Sequence, residues 1–225
     1  MSVQTVPTVA TKRTAPKEQR RQELIAATME TIADRGLAGT TLAEVTGRAG
    51  LSLGLANHHF TSKENLLTAT LRHLAVELRA VWVARQADPR LSAAEKLRAI
   101  VEGMFDPAIC TPTKIAVWFA FFGDARYRGV YRDMVAEFDT ERSDAIEALC
   151  GALARQDGRS DIDPHDMAQS IEALADGLWL SLMLYPAWVS PGQAIDRIID
   201  LLAMKFPGHF NPPAPRDPGP PAGAG

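Results

Sequence analysis

The stretch TLAEVTGRAGLSLGLANHHFTSK, Thr41 to Lys63, decides the fold of this 225-residue chain. Thr41 stands before helical residues with Glu44 three positions on, a capping box in which hydroxyl and carboxylate each satisfy a free backbone N–H. Leu42, Val45 and Ala49 recur at helical spacing, and Gly50 supplies the positive φ that closes a helix at little steric cost. Leu51 then plugs inward, and Ser52 caps a second helix, Leu53 to about His59, which is too short to persist unless it packs on something. Helix, glycine turn and short second helix read as a helix-turn-helix.

The flanks extend this head in both directions. Leu24, Ile25, Thr28 and Ile32 share one face of a helix from Lys17 to Arg35 that Gly36 ends. Residues 1–16 have no helical period and read as a disordered arm, whose Lys12 and Arg13, with Lys17, Arg20 and Arg21 just after it, suit phosphates or a minor groove. After the motif, Thr61 and Ser62 cap a long helix, with Glu64 completing a box from Thr61. Leu67, Leu71, Leu74, Leu78 and Val81 stripe it until Asp88-Pro89 breaks it. At 1.5 Å per residue it is about 37 Å long, a connecting rod between the head and the C-terminal part of the chain.

Every later start signal is helical: Ser92 with Glu95, Thr111 before Pro112, Asp163 before Pro164, and Ser190 before Pro191 with Gln193. No segment alternates like a strand, so the chain is expected to be all-α, with helices near 92–105, 112–125, 129–156, 164–185 and 190–206. The expected organisation is a basic arm (1–16), a three-helix head (17–63), a helical ligand-binding and dimerisation bundle (64–206) and a disordered Pro-rich tail (207–225).

Composition narrows the function. Hydrophobic residues make up 46% of the chain, enough for a sizeable core. Cys110 and Cys150 are the only cysteines and have no metal-ligand spacing, so free thiols in a reducing cytoplasm are the expectation. There is no apolar run of about 18 residues and no secretory signal, hence no membrane partner and a cytoplasmic location. Net charge is −3, yet Lys12 to Lys63 carries eight Lys/Arg against five Asp/Glu, a balance of +3 that leaves −6 elsewhere. The N-terminal part alone has the sign that nucleic acid attracts. An enzyme finds little support: there is no Gly-rich phosphate loop, no metal cluster and no recognisable nucleophile with its base, and no cofactor is implied.

Gly36, Thr41, Val45, Ala49, Gly50, Leu51, Ser52, Gly54, His59, Phe60, Lys63 and Leu66 fall at the spacing of a known motif. In this the first third of the chain resembles the DNA-binding region of TetR-type transcriptional regulators. Ser52, Leu53, Leu55, Asn57 and His58 are the side chains a short helix in the major groove presents, and Gly54 lets its backbone approach. Asn57 suits adenine or a phosphate, and the leucines suit thymine methyls. The resemblance makes Thr41, His59 and Lys63 phosphate contacts. Lys63 also lies in the first turn of the connecting helix, whose free N–H groups suit the same phosphate. Asn57 stands where many relatives carry a tyrosine, so that phenol is missing here. For His58 and His59 the plainer reading is packing and capping.

A second resemblance covers the C-terminal part. Val101, Gly103, Phe105 and Asp106, then Trp118, Ala120 and Phe121, then Asp176 to Leu180 are similar to the BetI-type repressors of glycine betaine synthesis genes, whose effector is choline. A quaternary ammonium has no N–H to donate, so aromatic faces and a carboxylate hold it. Trp118 with Phe122, and Asp176 with Trp179, share helical faces and suit opposite walls of such a cage; Phe105 is a further candidate. Ordinary core packing is the plainer reading for each aromatic ring alone, whereas Asp176 on an apolar helix needs a partner.

Leu174, Leu178, Leu182, Ile195, Ile198, Ile199 and Leu202 exceed one core stripe and suggest an extra interface; TetR-type proteins pair through their last two helices. The combined expectation is a homodimeric repressor that binds a roughly palindromic double-stranded operator and is released by a small molecule, choline or a related quaternary ammonium. Two alternatives remain: a regulator of efflux or catabolic genes sensing another small molecule, and a protein-interaction module that has lost DNA binding.

Overall fold

The computed structural model describes residues 17–211; the arm at 1–16 and the tail from 212 onward lie outside the described residues. Among the described residues there are nine helices and no strand: α1 Lys17–Gly39, α2 Leu42–Ala49, α3 Leu53–His59, α4 Lys63–Gln86, α5 Ala93–Met104, α6 Pro112–Gly123, α7 Arg128–Gln156, α8 Pro164–Leu184 and α9 Pro191–Lys205. The all-α expectation therefore holds.

The caps explain the boundaries. Ser92 and Ser190 form complete capping boxes with Glu95 and Gln193, and Thr111 and Asp163 accept from the first-turn N–H groups of α6 and α8. Gly50 at φ 63 turns the chain from α2 toward α3. Some expectations need correction. Glu44 does not close the box with Thr41 but reaches Arg35 at 3.1 Å, because that guanidinium offers a charged donor. Ser62 alone caps α4, while Thr61 accepts from the Asn65 side chain. Gly36 kinks α1 instead of ending it, the helix resuming to Gly39. The packed chain also continues past residue 207: Phe210 is buried and His209 meets Asp157 at 2.8 Å.

Three cores succeed one another along the molecule. Leu24, Ile25, Val45, Ala56, Phe60 and Leu66 hold the three-helix head together. Ile32 and Leu37 of α1, Leu67 and Leu71 of α4, and Val117 and Phe121 of α6 form a joint between head and body. The body core packs α4, α5, α7, α8 and α9 around Trp82, Leu97, Ile146, Ile171 and Ile198. Here α4 and α5 approach closely because residue 103 is glycine: a Cβ there would lie 2.8 Å from the Trp82 backbone.

The apolar residues that looked surplus on α8 and α9 are mostly spent inside the chain. Leu178, Leu182, Ile198, Ile199 and Leu202 are buried, and Leu174 and Ile195 pack half-buried against them, since two helices beside α5 and α7 need more than one apolar stripe each. The exposed apolar side chains lie elsewhere, at Leu184, Tyr185, Trp188 (65% exposed) and Met204 (73%). No helix among the described residues is long and apolar enough to cross a membrane.

Candidate functional site

The head presents α3 with little of it buried. Only Ala56 is fully enclosed; Leu53 is 48% exposed, Ser52, Gly54, Asn57 and His58 are exposed, and Leu55 and His59 are half-buried. On this seven-residue helix of about two turns the Leu53 side chain packs little against the rest of the head. Ser52 Oγ accepts from the Leu55 N–H at 3.2 Å and keeps the helix start in order. Thr41 is exposed at the start of α2. His59 is held below its ordinary pKa, first by partial burial and then by the positive surroundings of His58, Lys17 and Arg21, so the ring is neutral at pH 7. Its edge-to-face contact with His58 (5.5 Å) and its approach to Phe60 (6.4 Å) give it a packing role as well.

Lys63, the expected phosphate contact, also has partners within the chain. Its Nζ donates to Leu37 O at 2.7 Å and Ala38 O at 3.4 Å, at the C-terminal end of α1, where the helix dipole draws a cation. An ammonium has three donors, so one is left for another acceptor. Arg48 is spent on Asp34 (2.5 Å) and Glu30 (3.4 Å), and Arg21 pairs with Glu18 at 3.6 Å while lying over the Phe60 ring.

The body contains a cavity of about 570 Å³ between α6, α7 and α8. Trp118 and Phe122 line it from α6, and Asp176 and Trp179 from α8, so four of the five residues expected around a ligand share one space. Phe105 does not join them. It is buried in the body core at the end of α5, while neighbouring Asp106 accepts from Arg85 and from the Ala108 N–H and ties the adjoining loop down.

Four rings meet in the cavity wall. Trp118 stands edge-on to Tyr131 (centroids 6.0 Å, 80°) and to Trp179 (6.3 Å, 67°), and Phe122 lies 4.4 Å from Tyr131. The Trp179 indole donates to Met104 O at 3.1 Å, which fixes its ring. Such offset pairs are the preferred aromatic geometry and hold one another in place.

Beside the rings lies a group of charges that the sequence did not disclose. Arg142, 8% exposed, donates to both oxygens of Glu172 (2.9 and 2.7 Å) and to Asp139 (3.1 Å). Burial alone would lower its pKa, but these bonds and the surrounding carboxylates win and keep it charged. Asp139 is nevertheless pushed up, by burial first. Asp176 has no hydrogen bond or ion pair among the described residues. Its side chain is exposed on the cavity side, and desolvation by the protein around its base, followed by the nearby Glu172, raises its carboxyl to about 6 despite Arg142. The Tyr131 phenol is raised too, by burial and then by Asp139 and Asp176. This end of the cavity therefore sets one arginine against three carboxyl groups, one of which has no hydrogen-bond or ion-pair partner among the described residues.

Two elements join cavity and head: α4 carries Leu78 on the cavity and Leu67 and Leu71 in the joint, and α6 does the same with neighbouring residues. Trp118 and Phe122 of α6 face the cavity while Val117 and Phe121, one residue earlier in each case, are buried in the joint with Ile32 and Leu37 of α1. Among the described residues no group of three His, Cys, Asp or Glu has the arrangement of a metal site.

A helix-turn-helix head with an exposed second helix, packed through α4 and α6 on an all-α body, defines the class of DNA-binding transcriptional regulators. Comparison with known proteins agrees: residues 24–70 match the family of bacterial regulatory proteins of the TetR type. More narrowly, residues 93–207 match the C-terminal domain of BetI-type transcriptional repressors, and the chain belongs to this BetI-type branch of the TetR family. It is 35% identical over 164 residues to the HTH-type transcriptional regulator BetI of Paraburkholderia phymatum, covering 73% of this chain and 81% of that one. With its counterpart in Paraburkholderia xenovorans it is 37% identical over 173 residues, covering 73% and 82%. A crystal structure of a transcriptional regulator from Pseudomonas aeruginosa superposes with a TM-score of 0.75 at 26% identity, over 86% of this chain and 93% of that one. A Saccharomonospora viridis regulator, crystallised in complex with choline, shares the fold at a TM-score of 0.68 and 20% identity, over 82% and 96%. The chain is thus a transcriptional regulator and not an enzyme.

Proposed function

We propose that this chain is a repressor of choline and glycine betaine metabolism genes whose hold on its operator is released by choline or a related quaternary ammonium. The observation that carries the reading is Asp176: a carboxylate without a partner, beside four aromatic rings, suits a cation that cannot donate a hydrogen bond. The choline complex of the Saccharomonospora viridis regulator and the names of the curated relatives support the same choice.

On DNA, Ser52, Leu53, Gly54, Leu55, Asn57 and His58 enter the major groove, and Thr41, His59 and Lys63 hold phosphates. The protein acts as a homodimer on a roughly palindromic operator, pairing through the exposed apolar side chains near the end of α8 and on α9. A ligand moves the heads only by binding one arrangement better than the other, and α6 offers the route, since its cavity face and its joint face belong to the same turns.

Fluorescence anisotropy with the DNA upstream of the protein's own gene, with and without millimolar choline, tests the reading. Saturable binding released by choline supports it. Binding that choline leaves unchanged removes this ligand and favours a regulator of other genes sensing another small molecule; no specific binding at any salt concentration removes the operator.

A further inference from the structure

The ring end of the cavity holds a polar group that a bare cation does not use, the Tyr131 hydroxyl. Tyr131 stands near the start of α7, and its ring packs edge-on to Trp118 (6.0 Å) and against Phe122 (4.4 Å). These contacts fix the ring, and with it the place of the hydroxyl at its tip. The side chain lines the cavity and is half-buried, yet the hydroxyl makes no hydrogen bond among the described residues. The Trp118 indole beside it, in a residue only 4% exposed, also donates to no acceptor among them. Two donors left unpaired in one wall cost free energy that an accepting atom would restore.

The surroundings define that atom. Burial, and then the Asp139 and Asp176 carboxylates, disfavour the phenolate, so Tyr131 remains a neutral donor at pH 7. Asp176 is thus a neighbour of the phenol as well as the carboxylate assigned to the cation. The other hydroxyls on the cavity, Thr140 and Ser143, lie nine and twelve residues farther along α7, about 14 and 18 Å from Tyr131. The acceptor must be uncharged, because an anion here would face Asp139, Glu172 and Asp176 while Arg142 is already engaged by the first two. It must also be close to the ammonium, since one residue supplies both a ring of the cage and the donor.

Building on the quaternary-ammonium reading, we propose that Tyr131 sets the specificity of the cavity: its ring joins the cage around the ammonium, and its hydroxyl donates to an uncharged oxygen carried about two carbons away on the same ligand. A purely hydrocarbon arm leaves the phenol unpaired and binds more weakly for that reason.

Isothermal titration calorimetry of the whole protein with choline and with ethyltrimethylammonium isolates the oxygen, because the two share one head and one two-carbon arm. The expected result is choline binding about tenfold tighter, the size of one well-made hydrogen bond. Tyr131→Phe keeps the ring and its contacts and removes only the donor, so it should close the gap, chiefly by weakening choline. Equal affinities in the native protein, or a gap that survives in the variant, overturn the role of Tyr131 and leave the cation reading intact. Failure of both ligands and of tetramethylammonium to bind overturns the two readings together.

Discussion

Head and body solve opposite problems with charge. In the head, arginines are neutralised at the surface: Arg48 by Asp34 and Glu30, Arg35 by Glu44. Exposed pairs of this kind contribute little, about 0–1 kcal/mol each, and the head relies on a small apolar core and well-placed caps. In the body, Arg142 and its carboxylates sit beside a cavity where burial makes every imbalance costly. The difference shows where each region can tolerate change: the head through exposed side chains that do not support it, the buried Arg142 cluster hardly at all.

Removing Arg142 should break the contrast most severely. Arg142→Met leaves Glu172 and Asp139 uncompensated, a change of about 3–5 kcal/mol for a broken buried pair. Urea unfolding at pH 7 measures it, and part of the loss should return as pH falls and the abandoned carboxylates take up protons. An equally large substitution effect at the surface pair Arg48 and Asp34 would contradict the comparison.

Gly103→Ala comes next. Its Cβ would press on the Trp82 backbone, which cannot rotate away, so about 1–3 kcal/mol of stability should be lost, read as a lowered Tm.

Asp176 gives a smaller effect with a diagnostic sign. Its carboxyl is raised to about 6, so the folded protein binds a proton where the unfolded chain does not; the ionised group opposes folding, and stability falls as pH rises from the ordinary carboxylate range through about 6. A cation needs the ionised form, so its affinity should rise over the same interval. Asp176→Asn should therefore raise Tm at pH 7.5 while weakening tetramethylammonium about tenfold and flattening its pH dependence, measured by calorimetry at pH 5 and 7.5. The mildest change is Ser52→Ala, expected to cost about 1 kcal/mol by uncapping α3 and to weaken operator binding, read by thermal unfolding and anisotropy.

Head and body also differ in how far the sequence revealed them. The head was legible because its signals are local: Ser52, Gly50 and the step from Val45 to Ala49 act on residues within a few positions. The caps of α5, α6, α8 and α9 were legible for the same reason. In the cavity, Trp118, Phe122, Asp176 and Trp179 stood out, the carboxylate because it interrupts an apolar helix. Arg142, Asp139 and Glu172 did not, because acids and bases three apart on a long charged helix read as a solvated face until α8 packs against them. The polar face of His165, Gln169, Glu172 and Asp176 gave no signal either, because three of the four are exposed and such a face reads as solvated. Phe105 misled for the converse reason, since an aromatic ring at a helix end fits core and pocket equally well until its neighbours are known.

The distribution of indoles has an optical consequence. Of the four tryptophans, Trp118 and Trp179 line the cavity, Trp82 is sealed in the body core and Trp188 stands in solvent. An occupant should thus alter the emission of two fluorophores and spare the other two. Against the constant background of Trp82 and Trp188, the protein becomes its own reporter, able to register a ligand without label or DNA.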